Sequence, residues 1–362
     1  MTKKIIQSKP IFGIEEREAL NSYMEQGGWI TEFQKTAELE DMITRYTGAK
    51  HCFMVNNGTV SLTLSALACG VSAGDEVIIP NYTMVATPNS IELIGAKPIF
   101  VDVDRETLCI DFDQLKSKYT TKTKAVMLVS ANGRHSKSIN EIRKFCTEKE
   151  IFLIEDAAQS LGSFYPNGKH IGTVGDVGSF SFSPAKIIST GQGGAVVTNN
   201  SEIAKKVKYL KDFGRSKGGN DIHEFIGYNF KFTDIQAVIG IEQMKKLDDR
   251  IISKKNNYTM YSSLLPNNSH CRIIYNDINY TAPWFIELIA EKRDELMKYL
   301  EKNYIGSRPM YPPINKQKAY NETTSLPVSE MIGTKGLWLP SSVDLNEEDI
   351  QYVVDKIAKF YQ

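Results

Sequence analysis

Seven short aliphatic and β-branched runs, HCFMV, DEVIIP, KPIFVDV, KAVMLVS, IFLIED, GSFSFS and GAVVTN, punctuate the first part of the chain. Most are continuous rather than alternating, as strands buried on both faces must be. Helical patterns lie between several of them: TVSLTLSALACG with its stop glycine, PNSIELIG, and SINEIRKFCTEKE. Parallel neighbours need a crossover, and a helix is the usual one, so this alternation predicts an α/β fold with a mainly parallel sheet sandwiched by helices. From Phe232 to Leu265 the pattern reads as one long amphipathic helix opened by Thr233-Asp234 as its cap. Beyond it come a strand candidate, PWFIELIA, a helix, EKRDELMKYLEKN, and a closing helix, EEDIQYVVDKIAKFY, after the cap candidate Asn346. These predict a smaller C-terminal α+β domain over 246–362, after a large domain with an N-terminal arm over 1–245. No internal repeat or low-complexity tract interrupts the pattern.

Charge and cysteine content exclude several classes of function. Lys plus Arg and Asp plus Glu stand at 43 each, so the net charge carries no nucleic-acid footprint. The five cysteines, Cys52, Cys69, Cys109, Cys146 and Cys271, are widely spaced with no CxxC. That argues for a reducing compartment and against structural zinc. The opening MTKKIIQSKPIF lacks the apolar core of a signal peptide, and no run of about 18 apolar residues appears. The expectation is a cytoplasmic protein with neither membrane nor nucleic acid as partner, and no metal.

Ligands of parallel sheets bind outside the carboxyl ends of the strands, where three segments would meet. In HCFMVNNGTVSLT a strand runs through a tight Asn-Asn-Gly turn into a helix starting near Thr59. The turn is either a plain βα connection or a phosphate cradle that Gly58 lets a ligand approach. In IFLIEDAAQS a hydrophobic strand ends in Glu155-Asp156. A carboxylate there is costly unless partnered, so Asp156 either faces a cation or caps a helix over AAQS. In GSFSFSPAKIISTGQGGAVVT one lysine, Lys186, sits in an almost uncharged window. It is either a surface amine or an amine held in a dry pocket. An amine, a carboxylate and phosphate donors are together what pyridoxal 5'-phosphate requires: an anchor, a partner for the pyridine nitrogen, and a phosphate site.

The segments NNGTVSLTLSALACG, NYTMVATPNS, EDAAQSLGS, GDVGSFSFSPAKIISTGQGGAVVTN, GYNFKFTDIQAVIGIEQMKKLD and SRPMYPP resemble the DegT/StrS family of PLP-dependent nucleotide-sugar aminotransferases. These have the fold-type I architecture, and the likeness is greatest to perosamine-synthase-like 4-keto-sugar enzymes. It extends over nearly the whole chain. The resemblance implies that Lys186 is the Schiff-base lysine and Asp156 the partner of the pyridine nitrogen. It implies that Gln159 lies near the phenolic oxygen and that Gly58, Thr59 and Ser181 hold the phosphate. Asn229 would reach the phosphate from the other subunit of a homodimer with shared active sites. Met84 stands where the family usually stacks an aromatic residue on the ring, Ser183 where many members have histidine, and Gln192 where most have glutamate.

The largest departure is VSANGRHSKSINEI, where members read near VHLYGQPADMDAI. Here Arg134, His135 and Lys137 enter, either as a solvated loop or, pointing inward, as ligands for a phosphate close to the reacting carbon. Arg215 and Arg308 are further candidates for substrate anions. The expected reaction moves an amino group from L-glutamate to the keto group of a nucleotide-linked 4-keto-6-deoxy sugar. The alternative that an inward loop would favour is a small phosphorylated ketone such as dihydroxyacetone phosphate. Relatives that are sugar dehydratases carry histidine in place of the lysine, so Lys186 argues against that chemistry. The complete Lys-Asp-Gln-Ser set argues against a PLP-binding regulatory module without turnover.

Overall fold

The computed structural model describes residues 4–216, 221–265, 269–320 and 322–362. All seven runs form strands: β1 His51–Val55, β2 Glu76–Pro80, β3 Lys97–Val101, β4 Thr123–Val129, β5 Phe152–Asp156, β6 Val177–Ser181 and β7 Gly194–Thr198. They make one sheet in the order β1-β7-β6-β5-β4-β2-β3. The five strands from β3 to β6 are parallel, whereas β7 runs antiparallel to both β6 and β1. The reason lies in the connection: 182–193 contains no helix, so the chain cannot cross over and turns back on itself. That turn carries Lys186.

Successive strand residues feed opposite faces, as the pleat requires. Ile78, Val126, Leu128 and Leu153 pack on one side with Leu39, Ile43 and Ile241. Val77, Ile79, Met127 and Ile154 pack on the other with Leu62 and Leu64. Each of these side chains is withdrawn from water, which stabilises the fold by about 1.5–3 kcal/mol apiece. The helix Gly58–Ala68 starts one residue earlier than expected, because the Asn57 side chain accepts the Val60 N–H at 2.9 Å and closes the first turn.

A second, wholly antiparallel sheet holds β8 Cys271–Ile273, β9 Ile286–Ala290, β10 Arg308–Pro309 and β11 Gly336–Leu339 in the order β10-β11-β9-β8. The helices Arg293–Lys302 and Glu347–Phe360 pack on it through Leu296, Leu300, Ile350, Val353 and Ile357. Asn346 caps the last helix in a capping box with Asp349. Between the two sheets Tyr82, Ala131, Trp284, Phe285, Met310 and Trp338 form a separate apolar cluster. Among the described residues no helix is long and apolar enough to cross a membrane.

One expected element is divided. The stretch from Phe232 to Leu265 forms two helices, Asp234–Lys245 and Leu247–Leu264, with Lys246 between them at φ −98° and ψ 1°. Thr233 caps the first as expected, accepting from Gln236 N. The break comes from tertiary contact rather than local sequence. The Lys246 amine is drawn to Glu15 at 2.8 Å and Glu16 at 2.7 Å on the N-terminal helix Ile14–Glu25.

Candidate active site

The carboxyl ends of the parallel strands open into a cavity of about 650 Å³, closed on its far side by the second sheet. Its wall brings together Gly58, Thr59, Met84, Asp156, Gln159, Ser181, Ser183, Lys186 and Gln192 from the large sheet's loops. From the other side it receives Trp284, Arg308 and Tyr311. Residues far apart in sequence therefore share one wall for a single reason: each lies at the end of a strand or in a segment that leads into or out of one.

Asp156 ends β5 and is buried. No helix follows it; 157–162 form turns, so the carboxylate is not a helix cap. Its Oδ2 accepts from Thr87 Oγ1 at 2.8 Å and its Oδ1 from Ala158 N at 3.2 Å. Burial still pushes its pKa upward, with Thr87, Ala158 and the Lys186 charge opposing. Such a carboxyl calls for a cation beside it, and a protonated pyridine nitrogen is one.

Lys186 stands half-buried on the turn after β6, its Nζ 4.2 Å from the centroid of the Trp284 ring. Burial pushes the amine's pKa down to about 8, against the opposing pull of Asp156. The Trp284 indole is itself fixed, because its Nε1 donates to Ala185 O at 2.6 Å. Lys254, which is buried, is also pushed down, to about 7, by burial and by Arg250. Its Nζ donates to the carbonyls of Trp284 and Ser341 and it does not line the cavity.

Gly58 and Ser181 approach each other closely at the start of the helix Gly58–Ala68. A Cβ at Gly58 would lie 2.9 Å from Ser181 Cβ, too close for any side chain. Glycine therefore lets the Ser181 hydroxyl sit against the first turn of the helix, whose N–H groups have no intrahelical acceptor. Gln159 is oriented by its Oε1, which accepts from Asn132 N at 2.6 Å. Met84 is 43 % exposed at the cavity wall.

The altered loop does not face this cavity. Arg134 is 4 % exposed and ion-paired through Nη1 to Glu287 Oε2 at 2.5 Å. Its Nε donates to Tyr275 O at 2.7 Å. Lys137 pairs with Glu106 at the surface, and the His135 ring lies 5.9 Å from that of Tyr165. All three border a different groove, with Tyr275 and Asp277. The inward reading of Arg134 and His135 as substrate ligands is thus corrected: a buried guanidinium needs an acid, and Glu287 on β9 supplies it. Arg215 pairs with Asp221 at 3.6 Å, and Asn229 is exposed; neither lines the cavity of its own chain. Trp284 and Tyr311 line the cavity, while Thr87 and Asn132 lie behind it as hydrogen-bond partners of Asp156 and Gln159. Sequence patterns reveal none of the four, because only the fold brings them together.

An amine of lowered pKa, a buried carboxylate and an anion cradle at the carboxyl end of a parallel sheet define the site of a PLP-dependent transaminase. The chain belongs to the DegT/DnrJ/EryC1/StrS aminotransferase family, whose model matches residues 11–358. It is 34 % identical over 351 residues to GDP-perosamine synthase of Escherichia coli O157:H7, covering 96 % of each chain. Among solved structures it is similar to the aminotransferase TlmJ from Streptoalloteichus hindustanus, with a TM-score of 0.93, 26 % identity and 99 % and 98 % of the two chains covered. It is also similar to DesI, solved in the presence of its TDP-sugar product, with a TM-score of 0.90, 25 % identity and 99 % and 92 % coverage. The cofactor of the family is pyridoxal phosphate, and the residues of this cavity fit it.

Proposed function

We propose that the protein transfers an amino group from L-glutamate to the keto carbon of a nucleotide-linked 4-keto-6-deoxy sugar. The observation that carries this reading is the full-length similarity to GDP-perosamine synthase, joined to a cavity of about 650 Å³ that is roomy enough for cofactor and sugar together. The bound cofactor supplies a carbonyl that takes up the amino group and a ring that holds the electrons released at the donor carbon.

The chain's own residues do the rest. Lys186 anchors the cofactor and, once displaced, carries a proton between the donor carbon and the cofactor; a pKa near 8 suits a base working at neutral pH. Asp156 holds the ring nitrogen's proton, while Gly58, Thr59 and Ser181 hold the phosphate. Arg308, exposed at the cavity rim with its guanidinium 5.6 Å from the Trp338 ring centroid, is placed to take an anionic group of the substrate.

The reading of a small phosphorylated ketone loses its support, because Arg134 is spent on Glu287. A homodimer with shared sites is part of the proposal. Asn229 and Arg215 stand outside their own cavity, beside the exposed apolar residues Ile222, Phe225, Ile226 and Tyr228. The test is a panel offered to the pyridoxamine-phosphate form: 4-keto-6-deoxy nucleotide sugars, 3-keto sugars and dihydroxyacetone phosphate. Return of the pyridoxal absorbance with the first group alone supports the proposal, and return with the triose phosphate alone refutes it.

A further inference from the structure

Asn132 is 1 % exposed and stands at φ 55° and ψ 33°, the left-handed region that asparagine tolerates better than most residues. Every polar group it owns is engaged. Its N–H donates to Gln159 Oε1 at 2.6 Å, which leaves the donor end of that carboxamide to the cavity. Its Nδ2 donates to Phe285 O at 2.9 Å while its Oδ1 accepts from Phe285 N at 2.6 Å. Its carbonyl accepts from Asn276 Nδ2 at 3.1 Å. One side chain thus mimics a strand partner for Phe285, the residue after Trp284.

Trp284 is consequently held at three points. Asn132 grips the next peptide, Lys254 Nζ donates to its carbonyl at 2.8 Å, and its indole donates to Ala185 O at 2.6 Å. The held ring is the surface against which the Lys186 amine rests, 4.2 Å from its centroid. Fixing this wall shields the face of the amine that rests on it, and water there would favour its charged form.

We propose that Asn132 is a positioning residue for transamination, a single buried side chain that sets Gln159 on one side of the cavity and Trp284 beneath Lys186 on the other. The proposal rests on the Lys186 cavity being the transamination site, whichever sugar it serves. Freed of Asn132, the indole moves, the amine hydrates, and its pKa rises. Each unit of rise removes about tenfold of the neutral amine that bonds to a carbonyl carbon.

The test uses apo-protein and pyridoxal phosphate at pH 7.5, following capture by absorbance and locating it by borohydride trapping. Asn132→Gly keeps the left-handed backbone and removes the grip on Phe285; Trp284→Phe keeps an aromatic ring and removes the indole bond to Ala185. We expect each to slow capture about tenfold, and the double variant to fall within about twofold of the slower single one, since coupled residues are non-additive. Affinity for pyridoxamine phosphate, which has no carbonyl to bond to the amine, should change less than about twofold in each. A wild-type capture rate in Asn132→Gly, or single effects that multiply in the double variant, would overturn the proposal. If Asn132→Gly does not fold, Asn132→Asp is read by the same criteria. Lys186→Ala is measured in parallel: capture that persists there refutes the site itself, not the role of Asn132.

Discussion

Lys186 and Asp156 line one cavity, and each shifts the other's proton affinity: burial lowers the amine and raises the acid, and their mutual attraction opposes both. The amine bonds to a carbonyl only when neutral, so capture of pyridoxal phosphate should rise with pH and level off above about 8. An ordinary lysine would still be climbing at pH 10 (about 10.4). Asp156→Asn removes the charge that holds the amine's pKa up, so the inflection should move below that of the wild type. The same substitution should lower turnover by about a hundredfold or more, because the ring nitrogen loses its preorganised charge partner. Near-normal turnover with an unmoved inflection would mean that Asp156 serves only the turn at Ala158. Both residues are legible in the sequence, since an acid closing an aliphatic strand and a lysine in an uncharged window are local anomalies. Trp284 and Asn132 are not. Their roles exist only through contacts such as that of Asn132 with Phe285, 153 positions away.

At the scale of elements, the seven strands are legible because burial on both faces writes itself into continuous aliphatic runs. The helix break at Lys246 is not, because the flanking KKLDD has neither glycine nor proline and the decisive partners, Glu15 and Glu16, lie 231 and 230 positions away. Glu16 is nearly fully buried. Burial pushes its carboxyl up, but the Lys246 amine, the Gly13 N–H and the Gln243 amide outweigh that and bring it down to about 2. A depressed acid stabilises the fold fully above its ordinary range, near 4.5, and that stabilisation is lost as pH falls toward 2. Glu16→Gln should therefore cost about 2 kcal/mol at neutral pH, the worth of a hydrogen-bonded charge. It should also flatten the loss of stability between pH 4.5 and 2. Urea titrations across that range check this; a variant with the acid profile of the wild type would show that the Glu16–Lys246 joint carries none of it.

For the whole molecule, the cavity exists only where the two sheets meet, so Arg308 and Tyr311 complete a wall that the large sheet begins. The outward turn of the Arg134 loop belongs to this scale too: its direction is set by Glu287 on the second sheet, which no reading of the loop alone would supply. The exposed stretch from Ile222 to Tyr228, with Ile226 at 83 % exposure, predicts that the protein sediments as a dimer. Asn229→Ala should then weaken pyridoxal phosphate retention by about tenfold, one lost charge-assisted hydrogen bond, without dissociating the dimer. A fully active monomer would contradict this. The most direct test of the site as a whole is to reduce the PLP-loaded protein with borohydride and map the labelled peptide. Among the described residues two lysines of lowered pKa compete for the label, Lys186 and Lys254. The geometry predicts cofactor on Lys186 alone; cofactor on Lys254, or on any lysine outside the cavity, would contradict it.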